Sequence, residues 1–162
     1  MKRLIAAFAA AVCLTACSHP TPAASASAND TFLAQNAKAP GVVTLPSGLQ
    51  YKIIASGPAD GAHPCPADEV KVNYEGKTID GKVFDSSFQR GVPADLPLNG
   101  LIPGWIEALQ LMRPGDEWTI YLPPKLAYGD DPPPGAPIPP GAVLIFRLQL
   151  LGVLRHDGPP GG

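Results

Sequence analysis

The chain has 162 residues, of which 45% are hydrophobic and 16% charged, with a formal net charge of −2. That is the composition of one globular domain with appendages. Scattered Lys and Arg, with no basic run and no basic helical face, argue against a nucleic-acid partner. Twenty-one prolines and seventeen glycines predict many turns and short strands in place of long helices.

Residues 1–16, "MKRLIAAFAAAVCLTA", carry a positive head at Lys2 and Arg3, then an apolar run too short to span a bilayer, then small residues. This is the pattern of a secretion signal. Its end, Leu14-Thr15-Ala16-Cys17, resembles the lipobox of bacterial lipoproteins, in which the cysteine becomes lipidated. The alternative is an ordinary cleavage site with a chance cysteine. On the lipobox reading Cys17 anchors the chain to a membrane of the bacterial cell envelope, facing the periplasm. Residues 17–46 then hold the anchor, a tether and a short helix. The tether, "SHPTPAASASAND", has no periodicity, and its end-to-end distance would be roughly 20 Å. Asp30 is placed to cap a helix over "TFLAQNAKA", which Pro40-Gly41 would stop.

Residues 47–152 read as the globular domain. "GLQYKII" alternates Leu49, Tyr51 and Ile53 with Gln50 and Lys52, and "EVKVNYEGKT" alternates Val70, Val72 and Tyr74 with Lys71, Asn73 and Glu75. "VFDSSF" adds a short strand. "PGWIEALQLM" breaks the period: Trp105, Leu109 and Met112 share a helical face, Pro103 suits the first turn and Pro114-Gly115 the end. "DEWTIYLP" and "VLIFRLQLL" return to alternation through Trp118, Ile120 and Leu122, then Leu144, Phe146, Leu148 and Leu150. Between them "DDPPPGAPIPPG", residues 130–141, packs six prolines into twelve positions. The apolar strand after it cannot stand alone, so the loop joins two parts of one core. The expected fold class is α+β, an about five-stranded antiparallel twisted sheet wrapped around one short helix. Residues 153–162 read as a disordered tail.

Familiar catalytic constellations are missing from this pattern. His19, His63 and His156 lie in tether, loop or tail with no ligand spacing, so neither a metal nor a cofactor is expected. Cys65 has His63 two residues away, which admits a Cys–His nucleophile, but its proline-flanked loop favours an inert surface thiol. Tyr74, Trp105 and Phe146 face the core from three elements and Phe84 sits at a strand end; they either fill the core or line a pocket.

"GKVFDSSFQRG", "PLNGLIPGW" and "KLAYG" with the proline loop resemble the FKBP-type peptidyl-prolyl cis–trans isomerases. "PGVVTLPSGLQYKII" and "RGVPADLPLNGLIPGW" are most similar to the bacterial macrophage infectivity potentiator subgroup. The resemblance covers about residues 40–152 in unbroken order. It implies an FKBP-like fold and an isomerase that assists folding of exported proteins, acting on proline-containing polypeptides and able to take a macrolide ligand. It places the catalytic set at Asp85, Tyr128, Trp105 and Phe84. Substrate contacts fall on Tyr74, Arg90, Leu101, Ile102, Ile138 and Phe146. Trp105 would be the floor, the other aromatics the walls, Tyr128 a donor to a substrate carbonyl, and Ile138 a lid held by the stiff loop. Asp85, held by Arg90, would either assist the twisting imide or be only a structural partner. The chain departs from the family at "ADLP", where an aromatic rim is common and Ala94 and Leu96 would make it smaller, and at Arg147, where an acidic residue is common. The subgroup's long helical dimerisation region is reduced to a stub, which implies a monomer. The rival reading is a non-catalytic proline-peptide binding module or holdase chaperone.

Overall fold

The computed structural model describes residues 22–155. The signal segment, Cys17, residues 18–21 and the tail beyond 155 lie outside the described residues. The element order is α1 (Pro22–Asn36), β1 (Val42–Thr44), β2 (Gln50–Ala55), β3 (Glu69–Thr78), β4 (Val83–Ser86), α2 (Ser87–Arg90), β5 (Ala94–Pro97), α3 (Pro103–Leu111), β6 (Glu117–Leu122) and β7 (Leu144–Leu154). The strands form one antiparallel sheet in the order β1-β2-β6-β7-β3-β4, with β5 also paired to β3.

Period two gives this sheet its inner face. Val70, Val72, Ile120, Leu122, Leu144, Leu148 and Leu150 are fully buried, and α3 lays Trp105, Ala108 and Leu109 against them, with Met112 at its end. The long β3–β7 ladder sets their register: Val72 faces Leu150, Tyr74 faces Leu148 and Gly76 faces Phe146. Such a register holds because a one-residue slip would carry every one of these side chains to the other face.

Four details differ from the sequence reading. The sheet has seven strands, the additions being β1 and β5. Each is three or four residues long, too short to show alternation, and each exists because a longer neighbour supplies its hydrogen bonds. β7 runs to Leu154, two residues past the expected domain end, because Gly152, Val153 and Leu154 still pair with β3. Ile53 is not a core residue: it is 48% exposed, since β2 outruns the core there.

The fourth concerns α1. It begins at Pro22, so part of the expected tether is helical and Asp30 lies inside the helix. Alanine-rich sequence favours helix, and tertiary contacts hold this one. Phe32 meets Tyr121 at 6.1 Å between ring centroids. Asn36 Nδ2 donates to Gln50 Oε1 (2.8 Å), and Gln50 Nε2 donates to the Leu33 carbonyl (2.9 Å). Asn29, itself buried, donates to the Gly141 carbonyl at 2.5 Å. The helix thus packs on Gln50 and Tyr121 on the outer face and is tied to the base of the proline loop.

Candidate active site

A cavity of about 230 Å³ opens at the N-terminal end of α3, lined by Tyr74, Phe84, Asp85, Leu96, Gly100, Leu101, Ile102, Trp105, Tyr128 and Phe146. Each side chain arrives by a local rule. Ile102 precedes the helix in extended conformation and Pro103 opens it, so Trp105 falls one turn in, buried at 5% exposure. Tyr74 and Phe146 are inward positions of β3 and β7. Phe84 and Asp85 sit on β4, which ends in a single helical turn: Ser86 caps that turn by accepting the Gln89 N–H, and Gly91 closes it at φ 71°. The turn swings Arg90 back onto Asp85.

The rings meet edge to face. Trp105 lies 5.2 Å from Tyr74 at 78° and 5.2 Å from Phe146 at 90°, and Phe84 lies 5.6 Å from Phe146 at 86°. This arrangement satisfies ring quadrupoles and leaves a concave apolar box. It depends on Gly76: a Cβ there would lie 2.6 Å from both the Phe146 and Phe84 rings. Both alternatives for the aromatics are therefore realised together, because Trp105 and Phe146 belong to the buried core and also face the cavity.

Polar groups gather on one side. Tyr74 Oη donates to Asp85 Oδ2 at 2.5 Å, Arg90 Nη1 donates to Asp85 Oδ1, and Arg90 Nη2 donates to Tyr74 Oη at 2.9 Å. Burial raises the Asp85 pKa, but the bonds from Tyr74 and Arg90 outweigh it and leave the carboxyl below its ordinary value. Burial, then the bond to Asp85, pushes the Tyr74 phenol up. Burial, then the Asp85 charge, does the same for Tyr128. At neutral pH the site therefore holds one carboxylate and two neutral phenols. The Tyr128 hydroxyl and the Ile102 N–H face no hydrogen-bond partner among the described residues, and both belong to residues on the cavity wall.

Two of the expected site residues are not on that wall. Arg90 stands behind Asp85 on the rim, and Ile138 is 7% exposed within the buried apolar cluster beneath the proline loop. Gly100 lines the cavity without having been assigned to it. Leu96, expected at the rim, is on the wall itself, because pairing of "ADLP" with β3 turns it inward. Arg147 is on the outer face, where its Nε donates to Glu117 Oε1 (2.6 Å) and its guanidinium lies 4.8 Å from the Phe88 ring centre. Cys65 is exposed and does not pair with His63, whose two ring nitrogens meet the Met112 carbonyl and Arg113 Nε.

The sequence profile of a family described as FKBP-type peptidyl-prolyl cis-trans isomerase matches residues 61–151. The chain belongs to that family. A second profile, for the domain amino terminal to FKBP-type isomerases, matches residues 3–53. Similar proteins include the peptidyl-prolyl cis-trans isomerase Mip of Coxiella burnetii, 52% identical over 76% of this chain and 53% of that protein. The outer membrane protein MIP of Legionella longbeachae is 50% identical over 78% and 53% respectively. The chain spans about half the length of these curated relatives. A crystal structure of the peptidyl-prolyl cis-trans isomerase of Pseudomonas syringae pv. tomato superposes with a TM-score of 0.76 at 33% identity, covering 85% of this chain and 99% of that one.

Proposed function

We propose that this chain catalyses cis–trans isomerisation of X–Pro bonds in exported polypeptides, from a lipid anchor at Cys17 in the bacterial cell envelope. The observation that carries the catalytic reading is the apolar box of Tyr74, Phe84, Trp105 and Phe146 beside a fixed, charged Asp85.

The barrier to rotation, about 18–20 kcal/mol, is the loss of amide resonance. A twisted imide is less polar than the planar one, so a cavity that strips water from it and offers ring faces favours the transition state over the solvated ground state. Trp105 supports the proline ring, and Phe84 and Phe146 flank it. The free Tyr128 hydroxyl and Ile102 N–H are placed to hold the carbonyls on either side, which fixes the peptide while the imide turns. Asp85 accepts from Tyr74 and Arg90 and is held below its ordinary pKa, so it contributes a fixed negative potential at the cavity edge and exchanges no proton. Each tenfold in rate needs about 1.4 kcal/mol, and a few such terms suffice.

A protease-free turnover assay on a cis-proline peptide tests this directly. Wild type should accelerate exchange, and a protein that binds the peptide without accelerating it would be a holdase. Support for the envelope comes from the signal pattern before Cys17 and from the relative titled an outer membrane protein. Intact-mass measurement of the membrane fraction should find acyl mass on a chain beginning at Cys17, and Cys17→Ser should abolish it. Unlipidated wild type in the soluble fraction would refute the anchor. The monomer, on this proposal, should show as a single-domain mass in light scattering.

A further inference from the structure

We infer that the domain carries a second peptide site, which takes an extended, proline-free polypeptide segment whose groove-facing side chains, every second one, are apolar with an acidic residue beside them. It is a groove of about 290 Å³ at the other end of α3, lined by Tyr51, Ile53, Ser56, Leu111, Arg113, Asp116 and Trp118. It shares no lining residue with the first cavity. The helical rise puts Leu111 roughly 9 Å along the axis from Trp105.

Three independent features point to that occupant. The floor is a stacked ring pair, Tyr51 on Trp118 at 4.4 Å and 12°. Trp118 is 4% exposed, yet its indole N–H has no acceptor. Among the described residues the other buried side-chain group left so is the indole of Trp105, the floor of the first cavity. An unpaired buried donor calls for an explanation, and both of these rings line a cavity.

The second feature is an uncovered sheet edge. β1 pairs with Gln50, Tyr51 and Lys52, while β2 continues to Ala55. Ile53 and Ile54 are 48% and 52% exposed there, and Leu111 across the groove is 43% exposed. An extended peptide can continue the line of β1, adding main-chain bonds along β2 and placing every second side chain on the rings. Apolar alternate positions follow from that geometry.

Charge supplies the third. Arg113 Nε donates to His63 Nε2 at 3.2 Å, and His63 Nδ1 faces the Met112 carbonyl at 3.1 Å, so this cation rests on an imidazole and not on a carboxylate. The ion pairs among the described residues are Lys71–Asp95, Arg90–Asp85 and Arg147–Glu117, and none involves Arg113. Asp116, the carboxylate in the groove, is buried and spends its oxygens on the Gly57 and Arg113 backbone N–H groups. The Arg113 fork is thus open to an acidic side chain from the occupant.

The test uses the full chain and a fluorescent proline-free peptide whose every second residue runs glutamate, valine, phenylalanine, valine, glutamate, with serines between them, followed by anisotropy. Wild type should bind it saturably, and an excess of a short proline peptide that fills the first cavity should not displace it. Arg113→Gln and Ile53→Ser should each weaken binding on the order of tenfold, as should replacing the probe's glutamates by glutamines. Turnover on the short proline peptide should be unchanged in both variants, which also separates this inference from the isomerase reading: loss of turnover in wild type would sink that reading alone. Absence of binding, displacement by the proline peptide, or full binding in both variants overturns the second site.

Discussion

At the residue scale the cavity separates groups that exclude water from groups that titrate. Phe84 and Phe146 form the walls, and truncating either to Ala removes on the order of 2–3 kcal/mol of ring burial against a bound proline. Phe146 also belongs to the core at 3% exposure, so its variant needs a parallel melt, whereas the partly exposed Phe84 reads more cleanly. Tyr128→Phe removes one hydroxyl with no internal partner and should cost about 1 kcal/mol in kcat/KM. Asp85 is held below its ordinary pKa and the Tyr74 and Tyr128 phenols above theirs, so no group of the site changes charge near neutrality. Plots of kcat/KM against pH should therefore be flat from about 6 to 8. A steep slope there, or a larger loss in Tyr128→Phe than in Phe84→Ala, would contradict catalysis by desolvation.

At the scale of elements, two small features set the shape of the site. Gly76 lets β3 pass beneath the crossing of Phe84 and Phe146, and a methyl at 2.6 Å from both rings forces them apart. We expect Gly76→Ala to cost about 1–3 kcal/mol of stability by overpacking. Turnover should fall further than that loss explains, which is measurable as kcat/KM at a temperature where the variant is fully folded. The other feature is the tie between α1 and the proline loop. Asn29 reaches the Gly141 carbonyl, and the Gly141 N–H closes the loop base on the Gly129 carbonyl at 2.7 Å. Asn29→Ala should lower stability by about 1 kcal/mol and speed amide exchange at Gly141, leaving exchange in β3 and β7 unchanged. Equal acceleration everywhere would mean that α1 braces the whole sheet and not this loop.

For the whole molecule the relevant electrostatics are those of acid. The Asp85 carboxyl is lowered, burial opposing but the bonds from Tyr74 and Arg90 prevailing. That of Glu117 is lowered by Arg147 and then Gln149. A carboxyl depressed in the folded state adds stability that is fully present above its unfolded pKa and is lost as pH falls through the folded value. Calorimetric Tm should thus hold from neutrality to about pH 5 and drop below about pH 4, where free Asp and Glu titrate. Glu117→Gln should lower the neutral Tm slightly and soften the acid decline; an unchanged decline would place the acid-sensitive contacts elsewhere.

Alternation by itself determined the inner face of the long strands, because Val70, Val72, Ile120, Leu122, Leu144, Leu148 and Leu150 are buried wherever that face points. The helical period of "PGWIEALQLM" likewise placed Trp105, Leu109 and Met112 together, and the motif resemblance singled out most of the residues that gather at the cavity. Contacts between distant segments decided the rest. Gln50 and Tyr121 read as outward positions, and they meet α1 only because the tertiary fold lays it over them. Ala94–Pro97 becomes a strand, and Leu96 a wall, only because β3 offers hydrogen bonds. Ile138 sits in the core below the loop, where its proline-rich neighbours lead the chain. Period and propensity act within a few residues, whereas the partner across a ladder is set by packing over the whole fold, and no local stretch encodes it.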